Sequence, residues 1–239
     1  MPNGKISIVI VTYNAAETLQ KCLDSIYDQT YPAIEIVIID GASTDHTKAI
    51  LEANTQHIAF WKSEKDTGIY DAMGKALKHI TGQWVYFLGA DDELLPAFSN
   101  FAIELEDPTA IYYANVMHNG VKRSGLVSDY YMAKVGIYHQ AIIYPKTVFE
   151  KYQYNTKYKI AADYALNMQC FKDKDLHFVY HDLIIANYNH TGISATVVDE
   201  PFEKDKSKLI LQNFGLKTWL RFMFRQIKSS FRKSKGDKN

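Results

Sequence analysis

The sequence predicts an α/β protein with a mostly parallel sheet flanked by helices, and three observations carry that prediction. Apolar, β-branched runs such as Ile6 to Val11 and Ile34 to Ile39 read as strands buried on both faces. Each is followed by a segment whose apolar side chains recur at helical spacing. Acids and turn formers collect just after the strands, where an open α/β sheet has its binding crevice.

Ile6 to Val11 is predicted to be the first strand, running into Thr12-Tyr13-Asn14. Asn14 and Glu17 have capping-box spacing in an Asx form, and Leu19, Cys22, Leu23 and Ile26 mark a helix up to about Tyr27. Ile34 to Ile39 repeats the strand, Asp40-Gly41-Ala42-Ser43 the turn, and Thr44 to Ala53 the helix. A shorter strand is expected near Ile58 to Trp61. Ile69, Ala72, Met73, Ala76, Leu77 and Ile80 give a third amphipathic helix closed by Gly82, and Trp84 to Leu88 a fourth strand. These alternating elements form the Rossmann-like part of the chain.

Beyond Asp92 the pattern changes. A helix is expected over Leu94 to Leu105, a strand over Ala110 to Met117, a hairpin turn at Asn119-Gly120 and a strand over His139 to Tyr144. Ala161 to Phe171 reads as a helix, and Leu176 to Tyr188 as one or two strands. The expected organisation is a catalytic domain over 1–200, with a ligand-binding half at 1–93 and an acceptor half at 94–200, followed by a helical tail at 201–239.

The 239 residues are 47% hydrophobic, enough for one compact domain with a short appendage. The 27 basic and 27 acidic residues cancel, so the chain lacks the positive balance of a nucleic-acid binder. Cys22 and Cys170, both in helical patterns, point to small core residues in a reducing compartment. No secretory leader or run of spanning length is present, and the expected location is the cytoplasm.

Four clusters follow the expected strands: Thr12-Tyr13-Asn14, Asp40-Gly41-Ala42-Ser43, Asp66-Thr67-Gly68 and Gly89-Ala90-Asp91-Asp92. Singly each has an ordinary structural explanation, Asp40 and Asp66 as turn residues and Asp92 as a helix cap. Together, acids gathered at one sheet edge repel one another unless a cation sits among them. Hard carboxylate oxygens suit Mg²⁺ or Mn²⁺, whose shell phosphate oxygens complete.

The ordered set Ile8-Val9-Ile10-Val11-Thr12-Tyr13-Asn14, Val37-Ile38-Ile39-Asp40-Gly41-Ala42-Ser43-Thr44-Asp45, Asp66-Thr67-Gly68-Ile69-Tyr70-Asp71-Ala72-Met73, Asp91-Asp92, His139-Gln140 and Ala161-Ala162-Asp163-Tyr164 resembles the family 2 inverting glycosyltransferases of the GT-A fold. The resemblance spans residues 5 to about 195. It implies a nucleotide-sugar donor, UDP by preference, with Tyr13 stacking on the base beside Thr12 and Asp40 binding the base edge. Asp66 then lines the donor pocket, Asp91 holds the ribose, Asp92 ligates Mn²⁺ or Mg²⁺, and Asp163 is the general base. His139 and Gln140 are placed on the acceptor side, and His190 approaches the metal from a loop.

Two positions depart from the family text: Gly74, where Asn commonly stands, and Gly89, where a polar or acidic residue is frequent. A nicotinamide dehydrogenase would need a Gly-rich first turn, which Thr12-Tyr13-Asn14 is not. A nucleotidyltransferase would need a Gly/Arg/Lys-rich loop, also missing. The remaining alternative is an inactive sugar-nucleotide or membrane-binding protein of the same fold.

From Lys217 onward the chain carries eight basic residues against the single acid Asp237. Leu216, Trp219, Leu220, Met223, Ile227 and Phe231 recur near helical spacing, with Lys217, Arg221, Arg225, Lys228 and Arg232 on another stripe. Such an amphipathic basic helix either lies on an anionic membrane, here the inner face of the cell membrane, or docks its apolar face on the domain. The first case fits a glycan or lipid-linked acceptor, as the resemblance to polysaccharide-building members implies.

Overall fold

The computed structural model describes residues 4–189 and 197–236. Its strands are β1 (Ile6–Thr12), β2 (Ile34–Asp40), β3 (Phe60–Ser63), β4 (Trp84–Gly89), β5 (Glu93–Leu94), β6 (Ala110–His118), β7 (Val121–Arg123), β8 (Ile142–Pro145) and β9 (His177–Asn187). Its helices are α1 (Leu19–Tyr27), α2 (Thr47–Ala53), α3 (Ile69–Ala76), α4 (Ala97–Ile103), α5 (Asp129–Lys134), α6 (Thr147–Lys151), α7 (Ala162–Lys172) and α8 (Glu200–Gly236), with a 3-10 turn at His139–Ala141.

The strands form one sheet in the order β3-β2-β1-β4-β8-β6-β9-β5, with β7 paired to β6. The first four run parallel. Beyond them β8 is antiparallel to both β4 and β6, and β6 runs parallel to β9, so the sheet is mixed there but keeps its main direction. Consecutive residues Ile8, Val9 and Ile10 are all buried, as are Val37, Ile38 and Ile39. Both faces of these strands are therefore covered, which is what their unbroken apolar runs require.

Differences from the sequence expectations are local and have physical causes. Asn14 does not cap α1. It takes a positive φ of 51°, and its side-chain oxygen accepts the Thr44 N–H at 2.9 Å. The N–H groups of Ala15 and Ala16 are instead satisfied by Thr47 and Asp45, across the crevice edge. Leu94, expected to open the helix, is held with Glu93 as strand β5 against β9, so α4 begins only at Ala97. His139–Ala141 is a 3-10 turn leading into β8. The short helices α5 and α6 carry too few turns to show a period. The Asn119-Gly120 turn is present, both residues having positive φ, between β6 and β7.

At the opposite edge of the sheet from the acidic turns, Glu35 is buried in a cage of donors. It accepts from the Ser7 and Thr81 hydroxyls at 2.5 Å each and from the backbone of Thr81 and Gly82 at 2.5 and 3.0 Å. Gly82 is needed here for space, because a Cβ on it would lie 2.6 Å from both the Lys5 carbonyl and the Ser7 hydroxyl.

The tail is two helical segments joined at Gly215, whose φ of 75° and ψ of 178° break the helix. Trp219 Nε1 donates to the Ser207 hydroxyl at 3.0 Å, so the second segment turns back on the first. Phe202 packs on Tyr158 and Tyr164, Phe214 on Phe171, and Phe222 is buried. The predicted apolar stripe therefore divides. Trp219 and Met223 pack against the core, whereas Leu216, Leu220 and Ile227 stand exposed together with Phe224. These four fall within a sector of about 80° on a helical wheel, bordered by Lys217, Arg221, Arg225 and Lys228. Arg221 also lies over the Tyr130 ring, 3.9 Å from its centroid. Among the described residues no helix is long and apolar enough to cross a membrane.

Burial alone would raise the Glu35 pKa, but the hydrogen bonds from Ser7, Thr81 and Gly82 outweigh it and hold it below the ordinary 4.5. With the folded value below the unfolded one, the cage stabilises the protein above pH 4.5 and loses its contribution as the pH falls through the folded value. Glu35→Gln is expected to cost about 2 kcal/mol at pH 7 and distinctly less at low pH, measured by urea denaturation across the range.

Candidate functional site

Register brings the acidic turns together. Thr12 pairs with Asp40, Val11 with Gly89 and Asp40 with Ser63, so β1 to β4 all end at one edge. Tyr13 leaves that edge with its ring 65% exposed, an unusual position for so large an aromatic side chain. Thr12 is buried, its carbonyl accepts the Gly41 N–H at 2.8 Å, and its hydroxyl has no hydrogen-bond partner among the described residues.

The two acids nearest Tyr13 have opposite environments. Asp40 is fully buried and accepts from the Ser43 N–H at 3.0 Å, from the Ser43 hydroxyl and from the Ser63 hydroxyl at 2.5 Å. Its oxygens hold the turn that ends β2, at the position expected to meet a base edge. Asp66 is part-exposed, with Oδ1 accepting the Gly68 N–H at 2.8 Å. Its Oδ2 sits 2.7 Å from where a Cβ on Gly41 would be, beside the Tyr13 ring.

A similar division separates Asp91 from Asp92. Asp92 is fully buried, accepting from the Gln140 side-chain amide at 2.6 Å and from the Asn189 N–H at 2.8 Å. Burial raises its pKa to about 7, so near neutral pH a proton goes far toward balancing its charge. Asp91 is the part-exposed member, and Asn189 donates to its backbone carbonyl at 2.5 Å. Both carboxylates fold over Gly89, where an added Cβ would lie 2.5 Å from Asp92 Oδ2 and 2.9 Å from Asp91 Oδ1. The unexpected glycine in this motif is thus the space into which the acids turn.

Among the described residues no three candidate side chains converge as a preformed metal cage. The hard oxygens over Gly89 do fit a Mg²⁺ or Mn²⁺ ion bound by one or two carboxylates with phosphate supplying the rest. Of the two acids, Asp91 is part-exposed, and Asp92, the one expected to ligate the metal, is buried with two protein donors on it. His190 lies outside the described residues.

The second half of the chain supplies a separate carboxylate. Asp163 stands in the first turn of α7, where the helix N-terminus favours negative charge. The Tyr70 hydroxyl lies 2.6 Å from Asp163 Oδ1 and 2.7 Å from the Ile160 carbonyl. His139 Nδ1 is 3.9 Å from Asp163 Oδ2, its ring packs on Phe87, and its Nε2 is buried without a partner among the described residues. Burial lowers the His139 pKa, partly opposed by the charge of Asp163. Gln140, expected on the acceptor side, donates its side-chain amide to Asp92 at 2.6 Å, while the Tyr86 hydroxyl donates to its carbonyl at 2.8 Å. The turn His139–Ala141 therefore touches both acids and binds the two halves of one crevice.

Sequence reasoning missed Tyr70 and Asn189 as site residues. Tyr70 lay within a quoted motif, at a helical position that reads as core; Asn189 carries no local signal at all.

The family model described as glycosyl transferase family 2 matches residues 7–176. The chain belongs to that family. A PGL/p-HBAD biosynthesis glycosyltransferase of Mycobacterium bovis is 37% identical over 210 residues, covering 83% of this chain and 82% of the relative. Among solved structures, S. aureus TarS superposes with a TM-score of 0.68 at 19% identity, covering 86% of this chain. This chain spans only 39% of that TarS chain, and at such identity the likeness shows the fold. The mannosyltransferase PcManGT of Pyrobaculum calidifontis, in complex with GDP-Man and Mn²⁺, has a TM-score of 0.64 at 20% identity, covering 90% of this chain and 65% of its own. The family 2 assignment makes this protein a glycosyltransferase, and its fold is the GT-A fold that the motifs implied.

Proposed function

We propose that this glycosyltransferase moves a sugar from a nucleoside diphosphate donor, a UDP-sugar by preference, to a hydroxyl of a glycan or lipid-linked acceptor, inverting the anomeric centre. The carrying observation is that one crevice holds two distinct kinds of acid: oxygens folded over Gly89 at the strand ends, and Asp163 held apart on α7 by Tyr70. Solved relatives of the fold support the donor class, since TarS has been captured with UDP-GlcNAc and PcManGT with GDP-Man and Mn²⁺.

Tyr13 offers its exposed ring to the base, and Thr12 closes the strand end beneath it. Asp91, the part-exposed acid over Gly89, would hold Mn²⁺ or Mg²⁺. When bound, the cation supplies Lewis-acid stabilisation of the leaving charge. Asp92 holds the acidic turn to Gln140 and Asn189. Asp163 accepts the proton of the acceptor hydroxyl while that oxygen bonds to the anomeric carbon and the bond to the diphosphate breaks on the opposite face. Tyr70 fixes the carboxylate's direction, and His139 walls its other side.

The tail is read as a peripheral membrane contact at the inner face of the cell membrane. What supports this is the exposed strip Leu216, Leu220, Phe224 and Ile227 beside a row of cations, the arrangement of a helix lying in an anionic interface. It would bring the crevice to acceptors carried on lipid.

Asp163→Asn is expected to lower kcat by roughly 10² to 10⁴ with the donor KM unchanged, measured as nucleoside diphosphate release from a panel of sugar donors. Tyr70→Phe should lower kcat less, because the carboxylate loses the hydrogen bond that fixes its direction. Wild-type turnover in Asp163→Asn would remove the base assignment. For the tail, the protein should sediment with phosphatidylglycerol vesicles and not with phosphatidylcholine, and Leu220→Glu with Phe224→Glu should abolish sedimentation while activity on a soluble acceptor persists. Equal sedimentation with both lipids, or none, contradicts the membrane contact.

A further inference from the structure

We propose that Asp199 is a positioning residue for the reaction: its carboxylate ties the first turn of α8 to the loop that leads into α7, and so sets where Asp163 stands. The inference rests on the reading of Asp163 as the base and deepens it.

The loop before α7 does not fix itself. The N-cap of α7 is Ala161, which has no side-chain oxygen to turn toward its own helix. The N–H groups of Ile160 and Ala161 donate instead to Asp199 Oδ2, at 2.7 and 3.1 Å. The Ala161 N–H shares its peptide unit with the Ile160 carbonyl, and the Tyr70 hydroxyl lies 2.7 Å from that carbonyl and 2.6 Å from Asp163 Oδ1. Asp199 thus holds one side of the peptide whose other side meets Tyr70, the residue that directs the base.

The rest of Asp199 belongs to the tail. Its Oδ1 accepts the Phe202 N–H at 3.2 Å and its carbonyl accepts the Glu203 N–H at 2.9 Å, so Asp199 caps α8. It is buried, at 8% exposure, and its removal would leave three backbone N–H groups without an acceptor. The first turns of α8 extend the grip on the same loop. Phe202 is buried against Tyr158 and Tyr164, and Asp205 accepts from the Lys157 ammonium at 2.6 Å and from the Tyr158 hydroxyl at 2.9 Å. The catalytic part of the chain then runs past the expected boundary at residue 200: the first tail segment holds the base loop, and the second bears the exposed apolar strip.

Serine separates the two duties of Asp199. It caps a helix about as well as aspartate does, but its one short hydroxyl, spent on the Phe202 N–H, leaves the α7 loop without an acceptor. The test compares full-length wild type, Asp199→Ser, Asp163→Asn and the double variant. Nucleoside diphosphate release is measured from UDP-glucose, UDP-GlcNAc and GDP-mannose with octyl glucoside as acceptor, and amide hydrogen exchange is followed in parallel. Asp199→Ser is expected to keep the donor KM and a protected Phe202 amide, to exchange the Ile160 and Ala161 amides faster, and to lower kcat by roughly 10 to 10². In the Asp163→Asn background it should lower the residual rate no further, because a residue that acts only through the base has nothing left to place; a merely structural role would give a full, additive loss. Asp205→Ala, a milder cut in the same grip, should lower kcat several-fold at unchanged donor KM and serves if the serine variant fails to fold. Wild-type kcat in both variants, or full additivity with Asp163→Asn, overturns the role of Asp199 and spares the base reading. Unchanged exchange at Ile160 and Ala161 in folded Asp199→Ser overturns it whichever donors are turned over. Wild-type turnover in Asp163→Asn overturns the base reading itself.

Discussion

Four carboxylates, Asp40, Asp66, Asp91 and Asp92, arise from turns gathered at one end of the parallel strands, and their mutual repulsion is the constraint that the surrounding structure answers. Two of them are withdrawn from solvent and matched with donors, Asp40 by Ser43 and Ser63 and Asp92 by Gln140 and Asn189. Leaving such groups buried without partners would cost several kcal/mol apiece. The other two remain at the crevice. This division separates the acids that build the edge from those left part-exposed, and glycines at 41 and 89 create the space that the Asp66 and Asp91 oxygens occupy.

The same division explains how the two halves of the chain cooperate. Gln140 reaches Asp92 from the turn before β8, and the adjacent His139 faces Asp163. Tyr70, from the helix that follows Asp66, holds Asp163 from the other direction. The strand-end acids and Asp163 are therefore joined through the His139-Gln140 turn and through the helix that carries Tyr70. The tail braces this arrangement through Phe202, packed on Tyr164 one residue beyond Asp163.

Much of the fold was legible because β1, β2 and β4 are unbroken apolar runs and α1 and α3 keep a clear period; local sequence suffices for elements buried by their own side chains. The family motifs likewise located the crevice. Roles within it were less legible, since burial is set by distant partners: Gln140 is 48 residues from Asp92 and Asn189 is 97. Nothing near Asp40 or Asp92 distinguishes a buried acid from a presented one. Asn14 read as a cap because its spacing suited one, yet its true partner, Thr44, lies in the next turn. Gly215 sits inside a continuous amphipathic pattern, and only its positive φ reveals that the tail folds back and leaves one apolar strip uncovered.

The central claim, that the presented acid and not the buried one carries the metal-dependent part of donor binding, is tested most directly by calorimetric titration of UDP with Mn²⁺ or with EDTA into Asp91→Asn and Asp92→Asn. The account expects the Mn²⁺ enhancement to vanish in Asp91→Asn and to persist in folded Asp92→Asn, whose principal defect is a lowered thermal midpoint. Full enhancement in Asp91→Asn, with its loss in a folded Asp92→Asn, would contradict it.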